Sequence, residues 1–272
     1  MPLRSFVTTV LVPALALVGA CGSSNGDLQP DAPVGTEGTG YVHLVDLPDG
    51  FGNTATAEFL PSAATQNCTQ IGGCAACEAV ASQAQKSAGV LSASVAGTPV
   101  FTMAFTNAGY TPPSYVPPAD ANGPLWGAGA AIVVEAAGGE IPAFASSMTA
   151  PTTVAVSMPK GTDEGAPLTQ ISVASALSFA WTGGKAGDTF QANLVDNHGH
   201  SLLCSADAAR GTFAVPSAAL ASLTLGFGTI QASTLREQAL VSGGYGIVVS
   251  AAGAATDDSP SHPLYALEVN YE

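Results

Sequence analysis

Short segments in which apolar and polar residues alternate recur along the chain from residue 41 onward, and glycine or proline bounds most of them. In one of them, Leu177, Phe179 and Trp181 alternate with Ser178 and Ala180. A period of two is typical of a β-strand with one buried face. The pattern lacks the long helical segments that a parallel α/β sheet needs between its strands. The chain is therefore predicted to be mainly β, with the architecture of an antiparallel β-sandwich.

The alternation predicts fourteen strands and two short helices. The helices are an alanine-rich one at 74–86 and one at 218–223 that Ser217 would cap. The predicted strands are 41–47, 54–60, 90–95, 100–105, 130–136, 143–149, 153–158, 177–182, 189–195, 202–205, 212–215, 225–232, 245–251 and 265–271.

The segment from residue 41 to residue 272 is long enough for one large sandwich or two ordinary ones. Near Ala150 and Pro151 one strand ends and the next begins with the opposite face pattern. This predicts two Ig-like sandwich lobes, the first at 41–150 and the second at 151–272. The proline-rich segment 111–124 is interpreted as a surface loop.

The first twenty residues have the pattern of a bacterial lipoprotein signal peptide. Arg4 precedes an apolar stretch at 6–20 that is too short to span a bilayer, and small residues come directly before Cys21. We therefore predict a signal peptide at 1–20 and a lipid-modified, palmitate-bearing Cys21 as the first residue of the mature chain. The alternative is an ordinary secretory signal followed by an incidental cysteine.

Residues 22–40 contain almost no large apolar side chain, so burial cannot offset the entropy lost on ordering them. Together with Cys21 they are predicted to form a flexible tether at 21–40. Lipid chains on Cys21 would attach the protein to the membrane. Gly22, rather than aspartate, follows the cysteine, which favours an outer-membrane lipoprotein facing the periplasm or the cell surface.

The charge balance excludes some classes of partner. The chain has 20 acidic and 6 basic residues, which give a net charge of −14. Binding of nucleic acid needs clustered cations, and so does electrostatic docking on anionic lipid. We therefore expect no nucleic-acid partner, and contact with the membrane only through the N-terminal lipid.

Four further cysteines, Cys68, Cys74, Cys77 and Cys204, suggest two disulfides in an oxidising compartment, with three possible connectivities. If 74–86 is helical, Cys74 and Cys77 are poorly placed to bond each other. Cys68 would then pair with one of them, and the other would join Cys204. A redox CxxC centre is the alternative, but it needs a helix start after a parallel strand, and the sequence offers no such context.

One segment offers candidate metal ligands. Asp196, His198 and His200 are close in sequence and could form the site of a metal-dependent hydrolase. The alternative is a polar turn between the strands 189–195 and 202–205, since a third ligand would have to come from elsewhere. The turn is favoured, so neither metal, nor cofactor, nor enzymatic activity is predicted.

Aromatic side chains in and around the segment 111–124 are candidate contact groups for a partner. Tyr110, Tyr115 and Trp126 could meet an envelope protein or a glycan. They could equally pack against the sandwich.

The order of these pieces resembles that of uncharacterised lipoproteins of the myxobacterial kind. The resemblance runs over most of the chain, from Cys21, the tether and the early cysteine cluster to the segments 141–144, 179–181, 203–204 and 215–220. It implies a signal peptide with a lipobox, a tether and a β-sandwich body, and only Cys21 carries over as a functional position. The predicted function is a lipid-anchored protein of the cell envelope that acts as a non-catalytic binding or structural module.

Overall fold

The structure, a computed structural model, describes residues 37–47, 53–61, 68–77, 84–106, 114–115, 124–160, 167–257 and 264–272. These residues form twenty strands, one α-helix (α1, Ser217–Leu220) and one 3-10 helix at Ala208–Arg210. The strands are β1 Gly38–Asp46, β2 Thr54–Leu60, β3 Cys68–Ile71, β4 Cys74–Cys77, β5 Leu91–Val95, β6 Thr98–Met103, β7 Phe105–Thr106, β8 Ser114–Tyr115, β9 Ala131–Ala136, β10 Phe144–Thr149, β11 Ala155–Met158, β12 Thr169–Ile171, β13 Leu177–Thr182, β14 Thr189–Asp196, β15 Ser201–Asp207, β16 Thr212–Val215, β17 Gly226–Ser242, β18 Tyr245–Ala254, β19 Thr256–Asp257 and β20 Ala266–Tyr271.

One ten-stranded sheet runs through the whole fold. Eight of its strands follow the order β2-β1-β18-β17-β14-β15-β4-β3, while β20 pairs with β17 and β12 pairs with β20. Two sheets of four strands, β10-β9-β5-β6 and β16-β13-β11-β19, accompany it, and β7 pairs with β8. The prediction of a mainly β sandwich is confirmed.

Both four-stranded sheets pack on the same side of the large sheet and enclose one core each. The first core includes Phe59 and Ile132, and Leu240 of β17 packs against it. The second core includes Phe179 and takes Ile230 from β17. Alternate residues of a strand face the same side, so the even-numbered positions 230 and 240 place both cores on one face of β17. The two sandwiches therefore share one sheet.

Neither core is confined to one side of the predicted boundary at residues 150 and 151. From the second half of the chain, β18 contributes Tyr245, Ile247 and Val249 to the first core. In the opposite direction, Cys74 belongs to the second core. Each core therefore contains residues from both sides of the predicted boundary.

A partly buried ion pair between Asp188 and Arg236 stabilises the connection between the two smaller sheets. Asp188, directly before β14, accepts hydrogen bonds from the backbone N–H and hydroxyl of Thr152 at 3.0 and 2.7 Å. Its other oxygen accepts from Nε and Nη2 of Arg236 in β17 at 2.8 and 2.5 Å. Arg236 also donates to Thr149 Oγ1 at the end of β10. Asp188 thereby links the segment between β10 and β11 to β17 of the large sheet.

Both predicted helices and some predicted strand pairings need correction. Residues 74–77 form β4 between β3 and β15, not the start of a helix. The high helix propensity of alanine amounts to only tenths of a kcal/mol per residue over most other residues, which backbone pairing and burial outweigh. The helix predicted at 218–223 is the four-residue α1; Pro216 precedes it, and Ser217 is its first residue rather than its cap.

The pairing is not antiparallel throughout. Three pairs are parallel: β1 with β18, β12 with β20 and β11 with β19. In addition, β1 begins at Gly38 inside the segment 21–40 that was predicted to be a tether. The sandwich architecture is unchanged by these differences, although β18, which pairs in parallel with β1, is buried at all ten of its positions and does not alternate.

Candidate functional site

The predicted turn at residues 197–200 is confirmed as the end of the β14–β15 hairpin. Asp196 organises it, with Oδ1 accepting hydrogen bonds from the backbone N–H groups of His198 at 2.9 Å and His200 at 3.0 Å. Gly199 has a φ of 87°, in the left-handed region that glycine adopts without strain. Local chemistry therefore explains why this sequence folds back here.

The second carboxylate oxygen of Asp196 is also occupied. Oδ2 accepts from the backbone N–H of Thr224 at 2.8 Å and lies 2.7 Å from Nδ1 of His200. Burial opposes ionisation of Asp196, but the hydrogen bonds from Thr224, His200 and His198 outweigh it and hold the pKa of the carboxyl well below its usual range. Asp196 is thus a charged structural acceptor that joins the hairpin to the start of β17.

The candidate metal ligands do not converge with a third group. The rings of His198 and His200 have their centroids 6.4 Å apart, and both residues are exposed. Nearby Cys204 is in a disulfide, and Asp207 accepts a hydrogen bond from Ala209 N at 2.8 Å. In the part of the chain that the structure describes, no group of three His, Cys, Asp or Glu side chains could hold a metal ion.

The cysteines of the early cluster lie at one edge of the large sheet. Cys74 and Cys204 face each other across β4 and β15 and form a buried disulfide with a Cα–Cα distance of 4.0 Å. Cys68 is also disulfide-bonded, and in the backbone register it lies opposite Cys77. Since Cys74 lies in a strand and is bonded to Cys204, the CxxC segment does not have the arrangement of a redox centre.

The aromatic residues offered as contact groups are buried where the structure describes them. Tyr115 is 5% exposed, and its hydroxyl accepts from Ala88 N at 2.8 Å and donates to Gly89 O at 2.9 Å. Trp126 is 8% exposed and belongs to the first core. Tyr110 lies outside the described residues. Packing against the sandwich therefore accounts for Tyr115 and Trp126, and neither presents its ring to a partner.

A row of polar side chains that the sequence analysis missed crosses three strands of the large sheet. In register, Ser250 of β18 lies beside His43 of β1 on one side and Glu237 of β17 on the other. His43 Nδ1 is 2.6 Å from Ser250 Oγ, while its buried Nε2 has no hydrogen-bond partner among the residues that the structure describes. No motif marks these residues, because they are about two hundred positions apart and meet only through strand pairing.

Burial shifts the two titratable groups of this row in opposite directions. Desolvation lowers the pKa of His43 to about 4 and raises the pKa of Glu237 to about 7. Glu58 of β2, two residues beyond the position opposite His43, has its pKa raised by burial as well. At neutral pH, His43 is therefore neutral and Glu237 is only partly ionised.

We predict that His43 and Glu237 make opposing contributions to the pH dependence of stability. Folded Glu237 holds its proton up to about pH 7, whereas the unfolded group releases it near pH 4.5, so its contribution to stability falls as the pH rises between these values. Folded His43 resists protonation down to about pH 4, whereas the unfolded group takes up a proton near pH 6.5, so its contribution to stability rises with pH over that range. Each contribution is about 3 kcal/mol, and the two largely cancel.

Urea unfolding of single variants at a series of pH values tests this prediction. Glu237→Gln should show stability that rises between about pH 4 and pH 6.5, and His43→Gln should show stability that falls between about pH 4.5 and pH 7. The double variant is the control and should have a flatter profile than either. Two single variants whose profiles run parallel would contradict it.

The predicted signal peptide, Cys21 and most of the tether lie outside the described residues. Among the described residues, no helix is long and apolar enough to cross a bilayer.

Comparisons with known proteins show a likeness only to solved β structures. Neither a protein-family model nor a curated protein matches the chain. A tetra-tandem repeat in the extending region of a large adhesion protein is 15% identical with a TM-score of 0.23, and the alignment covers 81% of this chain and 49% of that chain. A 1.5-MDa bacterial ice-binding adhesin is 14% identical with a TM-score of 0.22, with coverage of 86% and 65%.

Fibronectin(III)-like modules of Clostridium thermocellum CbhA are 11% identical with a TM-score of 0.18, covering 84% of this chain and 93% of that chain. This chain spans between about half and two thirds of the length of the two adhesin structures. Identities and TM-scores this low carry no implication for function.

Proposed function

We propose that the protein is a lipid-anchored, non-catalytic binding or structural module of the cell envelope. The observation that carries the proposal is the Cys74–Cys204 disulfide, whose two cysteines are 1% and 0% exposed. Disulfides form and persist in oxidising compartments such as the periplasm and the cell surface. A structural disulfide therefore supports export of the chain.

Two buried aspartates are engaged in structural hydrogen bonds, and this supports a non-catalytic role. Asp196 binds the turn, and Asp188 binds the crossover and Arg236. Both carboxylates are engaged in holding the backbone, which makes them structural acceptors.

The anchor in this proposal is lipid on Cys21. Sixteen residues separate Cys21 from Gly38, where β1 begins. Fully extended, they would reach no more than about 55 Å. The sandwich body would thus stay close to the outer membrane, facing the periplasm or the cell surface.

Metabolic labelling with an alkyne fatty acid tests the anchor. Wild-type protein expressed in a Gram-negative host should take up the label and sediment with membranes, and Cys21→Ala should lose both properties. Ser23→Ala is the matched control and should behave like wild type. The anchor is refuted if the Cys21→Ala variant stays on the membrane, or if mass spectrometry finds an unmodified N-terminus on the wild type.

Elemental analysis of the purified protein tests the non-catalytic assignment against the metal-dependent hydrolase. The proposal expects no stoichiometric metal. Zinc, copper or calcium bound at one ion per chain, and lost when His198 and His200 are both changed to alanine, would favour the hydrolase instead.

A further inference from the structure

We infer that the outer face of the second sandwich binds a neutral polysaccharide, an inference that rests on the proposed function and names the partner of the module. The surface is the side of the large sheet that faces away from the second core. We call it the amide face and define it by six residues: Asn193, Val195, Phe227, Thr229, Gln231 and Asn270.

Strand register places these side chains in a compact array. Asn193 of β14 lies directly opposite Gln231 of β17, and two residues along, Val195 lies opposite Thr229. Phe227, at the start of β17, lies opposite Asn270 of β20. Opposing residues have Cα atoms about 5 Å apart, and the four-residue step from Phe227 to Gln231 is about 13 Å. The array is thus long enough to contact several linked sugar rings.

The two central amides are available to a ligand. Asn193 and Gln231 are partly exposed, and among the described residues no side chain or backbone group forms a hydrogen bond with either amide group. Each amide offers two N–H donors and a carbonyl acceptor. Neighbouring sugar hydroxyls need both kinds of partner, and an amide can meet a pair of them at once. Two adjacent amides therefore match the chemistry of a polysaccharide chain.

Phe227 provides an apolar platform at one end of the array. Its side chain is 43% exposed, whereas the phenylalanines Phe59, Phe179 and Phe190 are fully buried in the cores. The negative face of an aromatic ring attracts the polarised C–H groups on the flat side of a sugar. The amide opposite the ring, that of Asn270, donates to Gln170 Oε1 at 2.8 Å. The exposed ring therefore serves the array as a platform at the end away from the two unpartnered amides, a place in sugar binding that core packing does not give it.

The charge of the face selects a neutral ligand. The chain has a net charge of −14, and Glu268 of β20, opposite Thr229 on the same side of the sheet, adds an exposed carboxylate to the six uncharged residues of the amide face. An acidic polysaccharide would be repelled by the chain as a whole. A protein partner is less well matched, because the centre of a protein interface needs several apolar or aromatic anchors. The centre of this face is Asn193 beside Gln231, and its apolar residues, Leu203, Val195 and Phe227, lie around that pair.

Affinity electrophoresis of the full chain in detergent tests the inference. Native gels would contain a neutral galactomannan, a neutral β-glucan or the acidic polymer alginate. At least one neutral polymer should retard the protein, and alginate should not. Phe227→Ala and the double variant Asn193→Ala with Gln231→Ala should each weaken retardation tenfold or more. Val241→Ala removes an exposed apolar side chain from the same strand, outside the amide face, and should behave like wild type.

Several results would overturn the inference: no retardation by either neutral polymer, retardation by alginate alone, or retardation that the variants leave unchanged. Sedimentation velocity provides a further check. A dimer that Phe227→Ala dissociates would assign the face to a second copy of the chain instead. Failure of sugar binding leaves the Cys21 labelling result untouched, so the two proposals fail separately.

Discussion

Changing Asp188 to alanine should lower the free energy of unfolding by about 2 to 4 kcal/mol, because it removes the fully buried partner of an ion pair, although the Arg236 side chain is 28% exposed and can still meet water. The Asp188 side chain is fully buried and accepts four hydrogen bonds, two from Thr152 and two from Arg236. In the variant, the Arg236 guanidinium loses its counter-ion, and the Thr152 N–H and hydroxyl lose their acceptor. Urea unfolding followed by tryptophan fluorescence measures the change.

Two variants control for this effect. Asp188→Asn keeps an oxygen for Thr152 but loses the charge that Arg236 needs, so its stability should lie between those of wild type and Asp188→Ala. Glu140→Ala breaks the ion pair with Lys86, whose side chains are 53% and 40% exposed, and should change stability little. A loss below about 1 kcal/mol in Asp188→Ala would show that the network is not a structural fastening.

The same experiment can show whether the two cores unfold together. Each core contains one of the two tryptophans, Trp126 in the first and Trp181 in the second. Variants that keep a single tryptophan therefore report on each core separately. Since one sheet runs through both cores, we expect the two single-tryptophan variants that keep Asp188 to unfold at the same urea concentration. Separate transitions in Asp188→Ala alone would mean that this ion pair couples the cores.

The strands were largely predictable because their signal is local. The strand predicted at residues 177–182 has the bounds of β13, and the segment from Asp196 to His200 already contained the turn. Buried and exposed side chains must alternate wherever one face of a sheet meets a core. The start of the helix predicted from the alanines at 74–86 was wrong for the opposite reason, since pairing with β15 decides the conformation of Cys74–Cys77. Residues 78–83 of that prediction lie outside the described residues.

The features that the sequence did not predict depend on contacts between segments that are far apart in the chain. The parallel pairing of β1 with β18 brings His43 beside Ser250 across more than two hundred residues, and no local pattern encodes that register. The amide face arises in the same way, because Asn193 and Gln231 become neighbours only when β14 pairs with β17. Sequence motifs pointed instead to His198 and His200, which belong to a turn.

Removing the Cys74–Cys204 disulfide is expected to produce the largest loss of stability. The cysteines are 130 residues apart, and closing a loop of this length in the unfolded chain restricts its entropy by the equivalent of about 5 kcal/mol. The double variant Cys74→Ala with Cys204→Ala releases that restriction and also removes two buried sulfurs. Urea unfolding should therefore show a lower midpoint, together with a steeper dependence on urea because the unfolded chain becomes more expanded.

Unfolding in the presence of a reductant distinguishes the stability that comes from the covalent bond from the stability that comes from packing of the sulfur atoms. Wild type unfolded in the presence of a phosphine should lose the entropic part while keeping every atom of the cysteines. Adding the phosphine to the double variant then measures what the Cys68 disulfide contributes by itself. If the double variant unfolds at the wild-type urea concentration with an unchanged slope, the bond does not restrict the unfolded chain. Backbone pairing of β4 with β15 would then hold this edge of the sheet without help from the bond.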